Sequence, residues 1–143
     1  MRSPILALAF LAAVAAPAGA QDSAQYQNLL TPLLSGNQTI IDQTIAYPEG
    51  TPKVTAAIVV IPPGKDTGCY NHAVPLFVHI LEGEVTVDYG SKGIKVYKAG
   101  DSLLEAENWP HNGMNQTDAI VRIFAVYMGA EGSANATPVA GAE

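Results

Sequence analysis

The sequence predicts an all-β domain, an antiparallel sandwich or barrel of about eight short strands. Three observations carry that expectation. Runs rich in Val, Ile, Tyr and Thr recur at short intervals, separated by Gly, Pro and Asn. Within them the apolar residues alternate with the period of a strand. No convincing amphipathic helix lies between them.

Each segment in turn supports this. MRSPILALAFLAAVAAPAGAQD opens with a positive Arg2, continues with an apolar run too short to cross a bilayer, and ends in Ala18-Gly19-Ala20, the small-x-small form that signal peptidases accept. Residues 1–20 therefore read as a signal peptide, and the mature chain as periplasmic or secreted. Residues 21–37 form a lead-in segment with room for a short helical turn, which Pro32 interrupts. Strand-like runs follow in TIIDQTIAY, KVTAAIVVIPPG, PLFVHILEGEVTVDYG, IKVYKAGDSLLEA and AIVRIFAVYMG. From Ala130 to Glu143 the chain turns small, polar and Pro/Gly-bearing, and reads as a flexible tail.

The balance of charge excludes some partners. Seven basic residues face thirteen acidic ones, and loss of Arg2 would leave six. No clustered Lys/Arg face is present for phosphate contacts, so no nucleic-acid partner is expected. No second apolar stretch is long enough for a membrane span. One cysteine, Cys69, rules out an intramolecular disulfide. It reads by default as a small buried hydrophobe, with an intermolecular bridge or a reactive thiol as alternatives. The chain has no Gly-rich phosphate loop, no G-x-S-x-G elbow and no Cys-x-x-Cys pair, which leaves hydrolase, nucleotide-binding and dithiol redox readings without support.

In strands, residues two apart share a side, so polar residues spaced that way converge inside a barrel. An inward histidine is costly there unless it is hydrogen-bonded or bound to a metal. GDSLLEAENWPHNGMN, residues 100–115, carries such a histidine, His111, between Gly100 and Asn115. This stretch resembles the second sequence motif of the cupins, small jelly-roll β-barrels. Gly100, His111 and Asn115 fall in register, while Ala106 and Asn108 stand where the family has Pro and Gly. VHILEGEVTVDYG is similar to the strand and turn of the family's first motif, with Gly83 as its last glycine. VIPPGKDTG, YKAGDS and FAVYMGAEG resemble phrases of small single-domain members.

The resemblance covers residues 38–129 and implies an antiparallel jelly-roll β-barrel. It also implies a divalent metal (Fe, Mn, Zn, Ni or Cu), a small organic ligand in the barrel, and pairing into a homodimer. Counting back from Gly83, His72 keeps the second histidine of the family's pair, Tyr70 replaces the first, and Leu76 replaces the glutamate. The metal set expected here is therefore His72 and His111, completed by Tyr70 as a phenolate or by Glu105 as a displaced carboxylate. Trp109, Asn115 and Leu76 are expected at the ligand pocket, with Trp109 at its mouth. His79 and Cys69 fall on the opposite faces of their strands. Asp101 is expected to fix its turn through backbone N–H groups, and Glu82 and Glu84 to be solvated.

Two functions follow. The first is an exported, metal-binding barrel with oxygenase or isomerase-like chemistry. The second is a barrel that binds or senses a small molecule without metal or catalysis, which Leu76 favours. A homodimer with structural duties alone is a third reading.

Overall fold

The computed structural model describes Tyr26 and residues 28–140; the proposed signal peptide lies outside them. The chain divides between Thr31 and Pro32 into two compact units. In the first unit, Leu29 N–H donates to the Tyr26 carbonyl. The second unit holds β1 (Pro52–Ile61), β2 (Asp66–Asn71), β3 (Leu76–Glu82), β4 (Glu84–Asp88), β5 (Ile94–Lys98), β6 (Ser102–Leu104), β7 (His111–Met114), β8 (Val121–Ala130) and β9 (Thr137–Pro138). They form two antiparallel sheets, ordered β1-β8-β3-β6 and β5-β4-β7-β2-β9. Without β9, this is the interleaved order of a jelly roll, in which chain neighbours alternate between sheets except at the β4–β5 hairpin.

Alternation explains which side is buried. On β3, Leu76, Val78 and Ile80 are buried while Phe77 and His79 are only half-buried. Val85 and Val87 of β4 face them from the other sheet within one apolar cluster that also takes Val121 and Ala125 of β8. Burying these methyl-rich side chains contributes about 1.5–3 kcal/mol each before chain entropy is counted. Between β3 and β4 the chain reverses at Gly83, whose φ is 79°. A Cβ there would collide with the Ile120 carbonyl oxygen, so both the conformation and the close approach require glycine.

Two expectations are corrected. TIIDQTIAY does not form a strand. Gln38 and Thr44 make an isolated bridge, Thr39 bonds Gln43 through side chain and backbone, and Asp42 adopts φ 66°. Local Thr, Gln and Asp bonds thus outcompete the β preference of the Ile residues. The Gln43 amide also clasps the Glu107 backbone, donating to its carbonyl and accepting from its N–H. The second correction concerns the tail: it turns at Ala130–Ser133, and β9 pairs with β2, Asn71 opposite Thr137 and Tyr70 opposite Pro138. In addition, β2 and β7, which the apolar runs did not reveal, are strands of the second sheet and pair with each other.

Candidate functional site

β2 and β7 bring the polar residues together. Tyr70 lies directly opposite His111 in their register. His72 follows β2 at an isolated bridge to Glu107. The rings of Tyr70, His72 and His111 form a triangle, with centroids 5.0 Å apart for Tyr70–His72, 4.7 Å for Tyr70–His111 and 5.2 Å for His72–His111. Tyr127 of β8 adds a fourth ring 5.5 Å from His72, and Tyr89 a fifth 5.6 Å from His111.

Both histidines are 2% exposed, and their partners fix their protonation. His72 Nδ1 lies 2.7 Å from the Asn135 carbonyl, and His111 Nδ1 lies 2.8 Å from the Trp109 carbonyl. A carbonyl only accepts, so each Nδ1 carries the proton and each Nε2 is left for another partner. His111 Nε2 is buried and has no protein partner. Burial, followed by the neighbouring His111, lowers the His72 pKa to about 4, against the opposing pull of the Asn135 carbonyl. His72 is thus a neutral imidazole at physiological pH.

A cavity of about 50 Å³ opens beside this cluster. Its polar lining is Thr67, Tyr70, His72, Tyr97, Glu105 and Tyr127, and its walls include Leu76, Val78, Ile80, Val85 and Val87. Such a volume holds about three or four waters, or a ligand of a few heavy atoms. Glu105 is buried, with Oε1 accepting from the Ala106 N–H at 2.7 Å. Burial first, then the Glu105 charge, pushes the Tyr70 hydroxyl well above the usual phenol range. The same two causes act on Tyr89, whose hydroxyl lies 3.3 Å from that of Tyr97. Without a cation nearby, Tyr70 is therefore a neutral phenol and not a ready phenolate.

These donors fit a metal in part. Two imidazoles held by carbonyls through Nδ1 are the usual outer-shell arrangement of metal-binding histidines. An orphaned buried Nε2 needs a partner, and no Lys or Arg lines the cavity to balance Glu105. Yet among the described residues no three His, Cys, Asp or Glu side chains group closely enough to hold a metal ion. Glu105 shares the cavity with His72 but does not complete a three-donor set with the histidines. Leu76 is in the cavity wall and supplies no donor.

Two residues expected at a ligand pocket lie outside the lining of this cavity. Trp109 does not line the cavity: it packs on the core, its indole N–H donates to the Tyr89 carbonyl at 2.9 Å, and Lys92 Nζ lies 5.7 Å from its ring. Asn115 is spent on backbone: its amide donates to the Ile61 and Ala119 carbonyls and its Oδ1 accepts from Thr117. Asp101 fixes its turn as expected, accepting from the Lys98 N–H at 2.7 Å. His79 points away from the cavity side and bonds Ser102. The cavity residues Thr67, Tyr97 and Tyr127 were not singled out from the sequence, although Tyr97 and Tyr127 lie in runs read as strands, where alternation could have found them.

Residues 57–127 match the cupin domain family, in agreement with the jelly-roll order above. No curated protein matches the chain. Solved structures share the fold at low identity. The DMSP lyase DddQ from Ruegeria pomeroyi DSS-3 has TM-score 0.55 at 18% identity, over 63% of this chain and 45% of that one. Lactobacillus farciminis oxalate decarboxylase, a formate complex, has TM-score 0.53 at 20% identity, over 60% of this chain and 26% of its own. An uncharacterised Klebsiella pneumoniae protein with a double-stranded β-helix domain has TM-score 0.50 at 16% identity, over 78% and 90%. The match thus spans less than half the length of either of the two enzymes, and at these identities the likeness is one of fold.

Proposed function

We propose that this barrel binds one divalent metal ion through His72 and His111, with Tyr70 as the third neighbour and Glu105 balancing its charge. A small organic ligand of a few heavy atoms would then occupy the adjoining cavity. The observation that carries the reading is the buried, unpartnered Nε2 of His111 beside a His72 whose Nδ1 is already engaged. A bound metal would supply Lewis acidity, and the chain's own residues would orient the ligand and exclude water around it. In this reading the chemistry is oxygenase or isomerase-like. The fold neighbours include proteins named as an oxalate decarboxylase and a DMSP lyase, which supports small organic acids as the class to try. The cavity lining offers no cationic side chain for a carboxylate, so such a ligand would depend on the metal.

Titration of the metal-free protein with Zn²⁺ and Mn²⁺ tests this. About one ion per chain, lost in His72→Ala and in His111→Ala, is the expected result; no uptake overturns it. The second reading, a metal-free barrel that binds a small molecule, is favoured by Leu76 at the acidic position and by the missing three-donor cluster. It predicts ligand binding that survives chelation. Export is part of the proposal as well: a mature N-terminus near Gln21 and recovery from a periplasmic or secreted fraction are expected. A homodimer is proposed as the resting form.

A further inference from the structure

We propose that the C-terminal segment, residues 131–140, is a positioning strap that sets the tautomer of His72 and thereby the donor atom it offers to the barrel. Composition marks this segment as a loose tail. In the fold its Asn135 carbonyl accepts a hydrogen bond from the His72 Nδ1–H at 2.7 Å. The strap is held by few bonds. At its start Glu131 N–H donates to the Thr51 carbonyl, and Ser133 closes a turn on Ala130. At its far end β9 pairs with Tyr70 and Asn71, and Val139 N–H donates to the Cys69 carbonyl. Those partners lie on β2, one to three residues before His72, so docking of β9 fixes the distance between Asn135 and the imidazole.

His111 needs no such device, since its Nδ1 is satisfied by Trp109, two residues away in sequence. His72 depends on a carbonyl 63 residues distant. If the strap detaches, that Nδ1 loses its carbonyl partner, and either ring nitrogen becomes free to carry the proton. Ala136 and Pro138 of the same strap also border an outer groove of about 330 Å³. Tyr70 and Tyr127 line both that groove and the inner cavity. The strap therefore stands at the approach to the site as well as behind one of its donors.

The effect on metal affinity rests on the proposed function, whereas the tautomer does not, and the test separates them. In the full chain, residues 134–140 are exchanged for a Gly/Ser segment of equal length, with folding checked by circular dichroism. Imidazole ¹⁵N shifts of the metal-free protein should show His72 protonated at Nδ1 in the parent and in mixed tautomers in the variant. His111 should be unchanged in both. Zn²⁺ affinity should fall about 10- to 100-fold, the usual loss when an outer-shell partner of a metal-binding histidine is removed. A His72 that keeps its Nδ1 proton in a folded variant overturns the proposal. A changed tautomer with unaltered Zn²⁺ affinity overturns the link from strap to metal. A parent that takes up no Zn²⁺ defeats the metal reading alone, and the ¹⁵N shifts still decide the strap.

Discussion

Leu76 is the residue that separates the two functional readings. It lies in the cavity wall, opposite Tyr127 in the β3–β8 register, at the position where the family resemblance puts a glutamate. Leu76→Glu should therefore tighten Zn²⁺ binding at least about tenfold, because a third anionic donor joins two imidazoles. Without metal, the same change leaves a carboxylate in an apolar wall and should lower stability by about 2–4 kcal/mol. Calorimetric titration and thermal unfolding with and without Zn²⁺ read the two effects separately. His72 makes a prediction of opposite kind. Its folded-state pKa, about 4, lies below the ordinary histidine value of 6.5, so in acid the unfolded chain binds the proton first. The stability it contributes in the metal-free protein is present above about pH 6.5 and is lost as pH falls towards 4, on the order of 3 kcal/mol in full. Urea unfolding at pH 7 and pH 4.5 should show a smaller acid loss for His72→Gln than for the parent. Equal losses would remove His72 as a cause. Asn108 explains a departure from the family motif: it takes φ 48°, a left-handed conformation that asparagine tolerates better than most residues, where the motif has glycine.

The elements show what could be read from the sequence and what could not. β1, β3, β4, β5 and β8 were legible because their inward positions are apolar and alternate, as in Val78, Ile80, Val85 and Val87. β2 and β7 were hidden for a physical reason: their inward positions hold Tyr70 and His111, and Gly68 and Gly113 interrupt them. The strands that carry the candidate site are thus the ones that hydrophobic periodicity cannot see, and there the reading rested on motif resemblance. The two histidines it singled out, His72 and His111, lie with ring centroids 5.2 Å apart. It did not foresee that Trp109 and Asn115 bond to backbone, because a motif position does not say whether a side chain is spent on the backbone. The strap was illegible because its bonds use backbone groups, which composition does not report. The β3–β4 turn offers the cleanest test at this scale. Gly83→Ala combines a left-handed φ with a Cβ aimed at the Ile120 carbonyl, and should cost about 2–4 kcal/mol. Gly100→Ala has φ 98° but open space around the new Cβ, and should cost less. Thermal midpoints for the pair decide it: equal losses would mean that the collision adds nothing to the strain.

At the scale of the whole molecule, β1 stands at the edge of the first sheet. Among the described residues β1 pairs as a strand only with β8, so one side of this ten-residue strand has no strand partner there. On the outward face Val54, Ile58 and Val60 are 65%, 49% and 43% exposed. Across the register they meet Met128, Phe124 and Arg122, with Val126 opposite Ala56 between them, so the apolar surface continues onto β8. Natural edges are usually protected by inward charges, bulges or proline, whereas here the row from Val54 to Val60 carries no charge and proline stands only at Pro52, the strand's first residue. A second copy suits such an edge, because the same edge strand and the same apolar row are then met on both sides of a twofold axis. Light scattering during gel filtration should give twice the chain mass for the parent. Ile58→Lys should give a monomer, because an ammonium placed in a self-facing apolar row meets its own copy across the axis. Since Ile58 is half-exposed in the single chain, the same substitution should move the unfolding free energy of the monomer by less than about 1 kcal/mol. A parent that runs as a monomer at every concentration would show that the edge is left free, and the cavity would then have to work without a neighbour.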